Sequence, residues 1–242
     1  MADPRMPAKA FHDTCTCAAA DPGRRDFLRR TAGAAALAGL AGTIRPRTAV
    51  AQSTLTPDAA LANLMAGNQR YVDTKMTAFR DDLEMLHAKT AEKQEPFASV
   101  LSCADSRVPV ELIFDQTIGH LFVCRVAGNI ATPEIIASLE YGAAVLGTKV
   151  ILVLGHGSCG AVHATMDGKP VPGQISALYA AIRPGVNQAG SSDLEAAVKA
   201  NARYHATLLR EASPVIAGMY KENKIKVVAG FYELASGKVS LL

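Results

Sequence analysis

Short apolar runs alternate with longer segments whose apolar residues recur at helical spacing. The runs predict strands at residues 97–102, 121–126, 150–154, 226–232 and 238–242. The longer segments predict helices over residues 57–79, 81–93, 109–114, 132–147, 193–211 and 216–223. Strands that alternate with helices indicate an α/β fold with a mainly parallel central sheet. We expect about four parallel strands plus an antiparallel edge strand, flanked by helices.

The third of these strands is the clearest. The run from Val150 to Leu154 is apolar throughout, which is typical of a parallel strand covered on both faces. Residues 170–190 contain several Gly and Pro and predict no single element.

Reactive side chains follow two of the predicted strands. Cys103, Asp105 and Arg107 alternate after the first strand, so an extended backbone sends all three side chains to one side. His156 and Cys159 follow the third strand. Ligands of parallel sheets collect at the carboxyl ends of strands, where the strand order reverses. The pattern therefore predicts one shared site at this edge of the sheet.

Two thiolates and an imidazole suit zinc, which keeps a fourth position for water in catalytic sites. Spacing alone leaves open that Cys103, His156 and Cys159 are unrelated core residues. Asp105 and Arg107 favour a catalytic site, because a carboxylate held ionised by a guanidinium can accept a proton from a metal-bound water. The alternative interpretation of this pair is a surface ion pair of little energetic weight.

The motifs around these residues resemble those of the β-class carbonic anhydrases. They are Cys103-x-Asp105-x-Arg107, Arg125-Val126-Ala127-Gly128-Asn129, Leu139-Glu140-Tyr141-Gly142 and Gly155-His156-x-x-Cys159-Gly160. The resemblance covers roughly residues 57–242.

The resemblance implies reversible hydration of CO2 to bicarbonate and a proton, by zinc-bound hydroxide. It implies one zinc ion per chain, bound by Cys103, His156 and Cys159, with Asp105 and Arg107 as the catalytic dyad. The substrate-binding residues that it implies are Gln94, Phe122, Tyr141 and Gly160. It also implies a pocket partly formed across a dimer interface, and we expect a homodimer or a dimer of dimers.

One branch of the family adopts a closed state in which the aspartate leaves its arginine and becomes a fourth zinc ligand. That branch binds bicarbonate in a pocket that uses a Trp, and this chain has no Trp. We therefore expect Asp105 to pair with Arg107, and to be a metal ligand only in a closed state.

Two other functions would use the same residues. One is hydrolysis of carbonyl sulfide or carbon disulfide on the same zinc site. The other is non-catalytic zinc binding in the periplasm, which would not need Asp105 and Arg107. His120, His163 and His205 are candidates for a proton shuttle only because histidine titrates near neutrality, and His205 is better explained as a core residue.

The first 51 residues resemble a bacterial twin-arginine export signal. Arg24 and Arg25 precede a weakly apolar segment, Thr31–Ile44, which is too short to span a membrane. Ala49 to Ala51 forms a small-x-small cleavage site. We expect cleavage after Ala51, a periplasmic location, a single catalytic domain over residues 52–242 and no stable membrane association after cleavage.

The net charge of +3 is misleading, because the first 51 residues carry eight basic and four acidic side chains. The remainder has 17 basic and 18 acidic residues, a net charge near −1. We therefore expect small-molecule substrates and no nucleic-acid partner.

Overall fold

A five-stranded sheet forms the centre of the part of the chain that the structure describes. The structure, a computed structural model, describes residues 53–78, 90–91 and 93–242. The strands are β1 (Ala98–Ser102), β2 (Leu121–Arg125), β3 (Val150–His156), β4 (Lys226–Tyr232) and β5 (Val239–Leu241). Their order is β2-β1-β3-β4-β5; the first four are parallel and β5 pairs antiparallel with β4. The predicted α/β architecture is confirmed.

Seven α-helices flank the sheet within the described residues. They are α1 (Pro57–Val72), α2 (Val110–Ile113), α3 (Pro133–Glu140), α4 (Gly160–Asp167), α5 (Ser176–Ala189), α6 (Leu194–Ala212) and α7 (Pro214–Lys221). A π-helical turn, Tyr141–Val145, continues α3, and a short 3₁₀ turn, Gly173–Ile175, precedes α5. Within the described ranges, no helix is both long enough and apolar enough to cross a membrane.

Two helix predictions need comment. The helix that starts at Pro57 ends at Val72, earlier than the predicted residue 79, because Thr74 adopts a left-handed conformation with φ of 55°. The hydroxyl of Thr56 accepts a hydrogen bond from the Ala59 N–H and caps the helix start. The helix predicted over residues 81–93 lies largely outside the described residues.

Residues 176–189 form a regular helix that the sequence did not predict. Pro184 and Gly185 lie inside it, although Pro removes a helical hydrogen bond. Gly185 packs so closely against α6 that an added Cβ would lie 2.6 Å from the Cα of Asn201. Close packing of α5 on α6 therefore outweighs the helix-breaking tendency of this segment.

The two central strands are buried along their whole length, β1 and β3 alike. On one face, α1 and α2 cover side chains such as Val100 and Leu152. On the other face, side chains such as Leu101 and Ile151 pack against α3, α6 and α7. Burial on both faces explains why β3 is apolar throughout.

The connections determine where a site can form. From β1 the chain passes to β2 on one side, and then crosses to β3 on the other side. Ser102 pairs with Leu154, so the carboxyl ends of β1 and β3 are adjacent. The order of the strands reverses here, and parallel sheets leave a crevice at such a point.

Gly67 in α1 tests how closely this helix packs, and Gly218 in α7 serves as the comparison. An added Cβ at Gly67 would lie 1.8 Å from the Phe114 carbonyl oxygen, whereas one at Gly218 in α7 meets nothing within 4 Å. Gly67→Ala should lower the free energy of unfolding by about 1–3 kcal/mol, because backbone must shift. Gly218→Ala should raise it by about 0.5–1 kcal/mol through helix propensity. Urea unfolding measures both, and equal stability of the two variants would contradict the packing.

Candidate metal centre

Three side chains from separate elements meet at the reversal point of the sheet. Cys103 directly follows β1, His156 ends β3, and Cys159 precedes α4 as its N-cap residue. Their potential ligand atoms all lie within 4.8 Å of one another. All three residues are buried, with exposures of 4%, 0% and 1%. The structure thus brings together the three ligands expected from the sequence.

The histidine ring is oriented for metal binding. Nδ1 of His156 lies 2.9 Å from the Gly157 carbonyl oxygen. A carbonyl only accepts hydrogen bonds, so Nδ1 carries the proton and Nε2 presents its lone pair. This Nε2 is buried and has no hydrogen-bond partner among the described residues. Two sulfurs and one imidazole nitrogen with an unused lone pair form a donor set that fits zinc.

The two thiols influence each other's pKa. The pKa of Cys103 is lowered, chiefly because the Cys159 thiol hydrogen-bonds to its sulfur, and the Gly128 N–H adds a smaller contribution. The pKa of Cys159 is raised, because its proton is held in that bond and because it is buried. A metal that binds both sulfurs as thiolates would displace the proton held between them.

Asp105 and Arg107 form a two-pronged ion pair beside the three ligands. Nε of Arg107 donates to Oδ1 of Asp105 at 2.9 Å, and Nη2 donates to Oδ2 at 2.8 Å. These hydrogen bonds hold the pKa of Asp105 well below its usual range. Oδ2 of Asp105 lies 4.0 Å from Nε2 of His156. An ionised acceptor therefore faces the metal position while it stays paired with Arg107.

The backbone around this ion pair is held by a second arginine. Arg125, the last residue of β2, donates from Nε to the Cys103 carbonyl at 3.0 Å and from Nη2 to the Asp105 carbonyl at 2.6 Å. Nη2 of Arg107 also reaches the Ser158 carbonyl at 3.3 Å. Ser158 has a left-handed φ of 54°. The two arginines thus link the residues after β1 to the turn after β3.

The sequence did not assign a role to Arg125 or to the residues that follow it. The N–H of Gly128 donates to the Cys103 sulfur at 3.3 Å. Arg125 and Gly128 belong to one of the motifs named above. Their contacts with Cys103 depend on the pairing of Ser102 with Arg125 at the end of the sheet. The order of the strands, which places β2 beside β1, is the information that motif spacing lacks.

Comparison with known proteins identifies the family. The family model described as carbonic anhydrase matches residues 98–239. A carbonic anhydrase of Mycolicibacterium smegmatis is 33% identical over 192 residues, which are 76% of this chain and 93% of that protein. This chain belongs to the carbonic anhydrase family.

Solved structures place the enzyme in the β class. The Coccomyxa β-carbonic anhydrase, solved with acetazolamide, is 26% identical with a TM-score of 0.59, and the match covers 75% of this chain and 86% of that one. A Sordaria macrospora β-carbonic anhydrase, described as tetrameric, shares the fold at 21% identity and a TM-score of 0.61, over 75% of this chain and 96% of that one. Hydration of CO2 is the standard activity of this class, and neither alternative function is favoured.

The substrate-binding residues expected in this carbonic anhydrase lie in two separate places. Gly160 starts α4 beside Cys159, and an added Cβ there meets nothing within 4 Å. Phe122 and Tyr141 lie together, with ring centroids 6.2 Å apart. Gln94 is exposed and lies ahead of β1.

The aromatic pair and Gln94 lie toward the amino end of the sheet. Phe122 pairs with Ser99 in β1, and a Cβ added to Gly142 would lie 2.8 Å from Ser99 Oγ. Ser99 precedes Cys103 by four strand residues, about 13 Å of extended chain. Within a single chain of the enzyme, these residues are therefore separated from the metal ligands.

The three candidate proton shuttles also differ in position. His205 is fully buried in α6, and its Nδ1 accepts a hydrogen bond from the Ala131 N–H at 3.1 Å. His120 directly precedes β2, at the amino end of the sheet. His163 lies four residues after Cys159, with 61% of its side chain exposed and its Nε2 3.9 Å from Oδ1 of Asp167. Of the three, only His163 combines exposure with a place beside the site in sequence.

Burial of His205 gives the enzyme a pH-dependent stability. Burial lowers the pKa of His205 to about 4 from a usual 6.5. The unfolded chain therefore binds an extra proton between these values, and stability falls as the pH decreases. We expect this histidine to remove up to about 3 kcal/mol between pH 6.5 and 4.

Urea unfolding at several pH values measures this contribution. His205→Asn should flatten the slope, whereas His163→Asn, a change at an exposed histidine, should keep the wild-type slope. An unchanged slope in His205→Asn would contradict the assignment.

Proposed function

We propose that this β-class carbonic anhydrase hydrates CO2 reversibly with one zinc ion per chain, bound by Cys103, His156 and Cys159. The observation that carries the proposal is the buried trio of two sulfurs and an unpaired imidazole nitrogen beside an ionised carboxylate. When bound, zinc supplies a Lewis acid that lowers the pKa of a water ligand toward 7. The residues of the chain orient the reactants around it.

In this proposal Asp105 is the hydrogen-bond acceptor that orients the attacking water. The pKa of its carboxyl group is held well below the usual range. At neutral pH the carboxylate therefore accepts hydrogen bonds but takes up a proton only weakly. Arg107 fixes its direction through two parallel hydrogen bonds. A closed state with Asp105 as a fourth ligand would require both bonds to break, so we propose the paired arrangement as the active one.

We further propose that a second copy of the chain completes the substrate pocket. Phe122, Tyr141 and Gln94 lie toward the amino end of the sheet, away from the ligands of their own chain. Tyr141 is 48% exposed although it is a large aromatic residue. Contact between two copies would place this apolar surface against the partner's zinc site, next to Gly160. The proposed assembly is a homodimer or a dimer of dimers.

We also propose that the first 51 residues direct export by the twin-arginine route and are removed after Ala51. The support is the arginine pair, the weakly apolar segment and the small residues before the cleavage point. The mature enzyme would be periplasmic, without stable membrane association or nucleic-acid binding. The mass of the chain recovered from the periplasm tests this proposal, and a full-length mass there would contradict cleavage.

Replacing Asp105 tests the dyad. Asp105→Ala should lower kcat/KM for CO2 hydration by about 100-fold or more, because the water loses its acceptor. The zinc content should stay near one per chain, since the three ligands remain. Stopped-flow hydration together with zinc analysis measures both quantities. Asp58→Ala, a change at an exposed aspartate at the start of α1, is the control and should keep wild-type activity; full activity in Asp105→Ala would refute the assignment.

Mixing two inactive variants tests the shared pocket. Cys159→Ala should lose zinc, and Tyr141→Ala should keep zinc but lose most activity. A hybrid dimer of the two contains one site with intact ligands and an intact partner tyrosine. Each hybrid dimer has one complete site out of two. Co-expression should therefore restore up to about half of the wild-type activity per hybrid dimer. No recovery in isolated hybrids would show that Tyr141 serves its own chain.

A further inference from the structure

The thiolate of Cys103 is hydrogen-bonded by a loop without regular secondary structure. This loop, residues 126–131, connects β2, which ends at Arg125, to α3, which begins at Pro133. The N–H of Gly128 donates to the Cys103 sulfur at 3.3 Å. A hydrogen bond to a ligating sulfur withdraws charge from it and tunes the metal that it binds. The direction of this one N–H therefore matters to the site.

The loop adopts a backbone conformation that needs external support. Gly128 has a φ of 78° and Asn129 a φ of 45°, so two consecutive residues are left-handed. For Asn, unlike Gly, this backbone conformation is strained. The side chain of Asn129 is buried, and both its polar atoms are without a partner in the part of the chain that the structure describes. Within the loop, one backbone bond joins the Asn129 N–H to the Val126 carbonyl at 2.9 Å.

Helix α6 supplies the support from outside the loop. Nδ2 of Asn201 donates to the Gly128 carbonyl at 2.9 Å. Nδ1 of His205 accepts from the Ala131 N–H at 3.1 Å. The spacing of four residues puts both side chains on one helical face. Asn201 therefore holds the carbonyl of the same residue whose N–H reaches the Cys103 sulfur.

Helix α6 packs closely against both α5 and β3. An added Cβ at Gly185 in α5 would lie 2.6 Å from the Cα of Asn201, so the two helices touch at this level. An added Cβ at Gly155, next to His156 in β3, would lie 2.9 Å from Val198 Cγ1 of α6. The helix is thus fixed against the same strand that carries His156.

Hydrogen bonding does not fully compensate the burial of Asn201 and His205. Both are completely buried. Oδ1 of Asn201 and Nε2 of His205 have no partner that meets hydrogen-bond geometry among the described residues, although the Ala181 carbonyl acts on the pKa of His205. A buried polar atom without a partner destabilises the folded chain. Replacing either side chain by an apolar one would leave the buried Gly128 carbonyl or the buried Ala131 N–H without its partner, so both residues are tied to this loop.

We propose that Asn201 and His205 are positioning residues, which hold residues 128–131 so that the Gly128 N–H stays directed at the Cys103 sulfur. Neither touches the metal ligands; they act through the backbone of the loop. The effect on the metal rests on the proposed zinc site, whereas the effect on the loop does not.

The first readout does not require metal. In the metal-free enzyme, Asn201→Leu should increase the exchange rate of the Gly128 amide at least about tenfold, because the anchored carbonyl is released. Asn201→Ala is the second variant, in case the leucine is not accommodated beside Gly185. Asn68→Leu is the matched control, because Asn68 is also buried and donates to the Ile113 and Gly237 carbonyls at the other side of the sheet. It should lower stability and leave Gly128 exchange unchanged.

The second readout follows the sulfur itself. In the cobalt-substituted enzyme, Asn201→Leu should move the thiolate-to-cobalt absorption band to longer wavelength, because the sulfur becomes a stronger electron donor. The affinity for zinc should fall by about tenfold, and the midpoint of the kcat/KM pH profile should rise. His205→Leu should act in the same direction. His205→Asn should restore wild-type values, since Asn can place an acceptor near the position of Nδ1.

Each outcome decides a separate question. If Asn201→Leu and Asn201→Ala lose stability as Asn68→Leu does but keep wild-type Gly128 exchange, absorption and pH midpoint, the positioning role is refuted. If His205→Asn behaves as His205→Leu does, the acceptor role of His205 is refuted. If the wild-type enzyme binds no zinc or cobalt, the proposed function fails, and Gly128 exchange still tests the loop.

Discussion

The burial of two sulfurs and one imidazole nitrogen at a single point is the constraint on which the rest of the site depends. Parallel pairing of β1 with β3 brings their carboxyl ends together, and the chain places Cys103, His156 and Cys159 there. Among the described residues, the His156 Nε2 has no hydrogen-bond partner, and the coupling of the two thiols lowers the pKa of Cys103 and raises that of Cys159. Such an arrangement is costly in a buried place unless a cation compensates it. The geometry therefore favours metal binding before any comparison with other proteins is made.

Around this point, arginine side chains and a backbone N–H donate hydrogen bonds to the residues of the site. Arg107 keeps Asp105 ionised, and Arg125 donates hydrogen bonds to the backbone carbonyls of Cys103 and Asp105. Both arginines are exposed, whereas the three candidate ligands are buried at the carboxyl ends of β1 and β3 and in the turn before α4. The Gly128 N–H, from the loop after β2, donates to the Cys103 sulfur. The site is thus bordered by hydrogen-bond donors on two sides, which suits a negatively charged set of ligands.

Much of the fold and the ligand set could be predicted from the sequence, because both depend on local patterns. Apolar runs gave the strands, and residues directly after β1 and β3 gave Cys103 and His156. The contacts of Asn201 with Gly128 and of His205 with Ala131 could not be predicted, since each joins residues more than 70 positions apart. Helix α5 was missed for a related reason: Pro184 and Gly185 oppose a helix locally, and only packing against α6 supports one.

The complete burial of β3 has a consequence for the lifetime of a bound metal. His156 is the last residue of a strand that is covered on both faces, and it is itself fully buried. Central strands are the last parts of a domain to open. A cation bound to His156 would therefore be released slowly, at a rate set by fluctuations of the sheet more than by the strength of single ligand bonds. Retention of the metal over long periods would then be a kinetic property of the domain, because it depends on how rarely β3 opens.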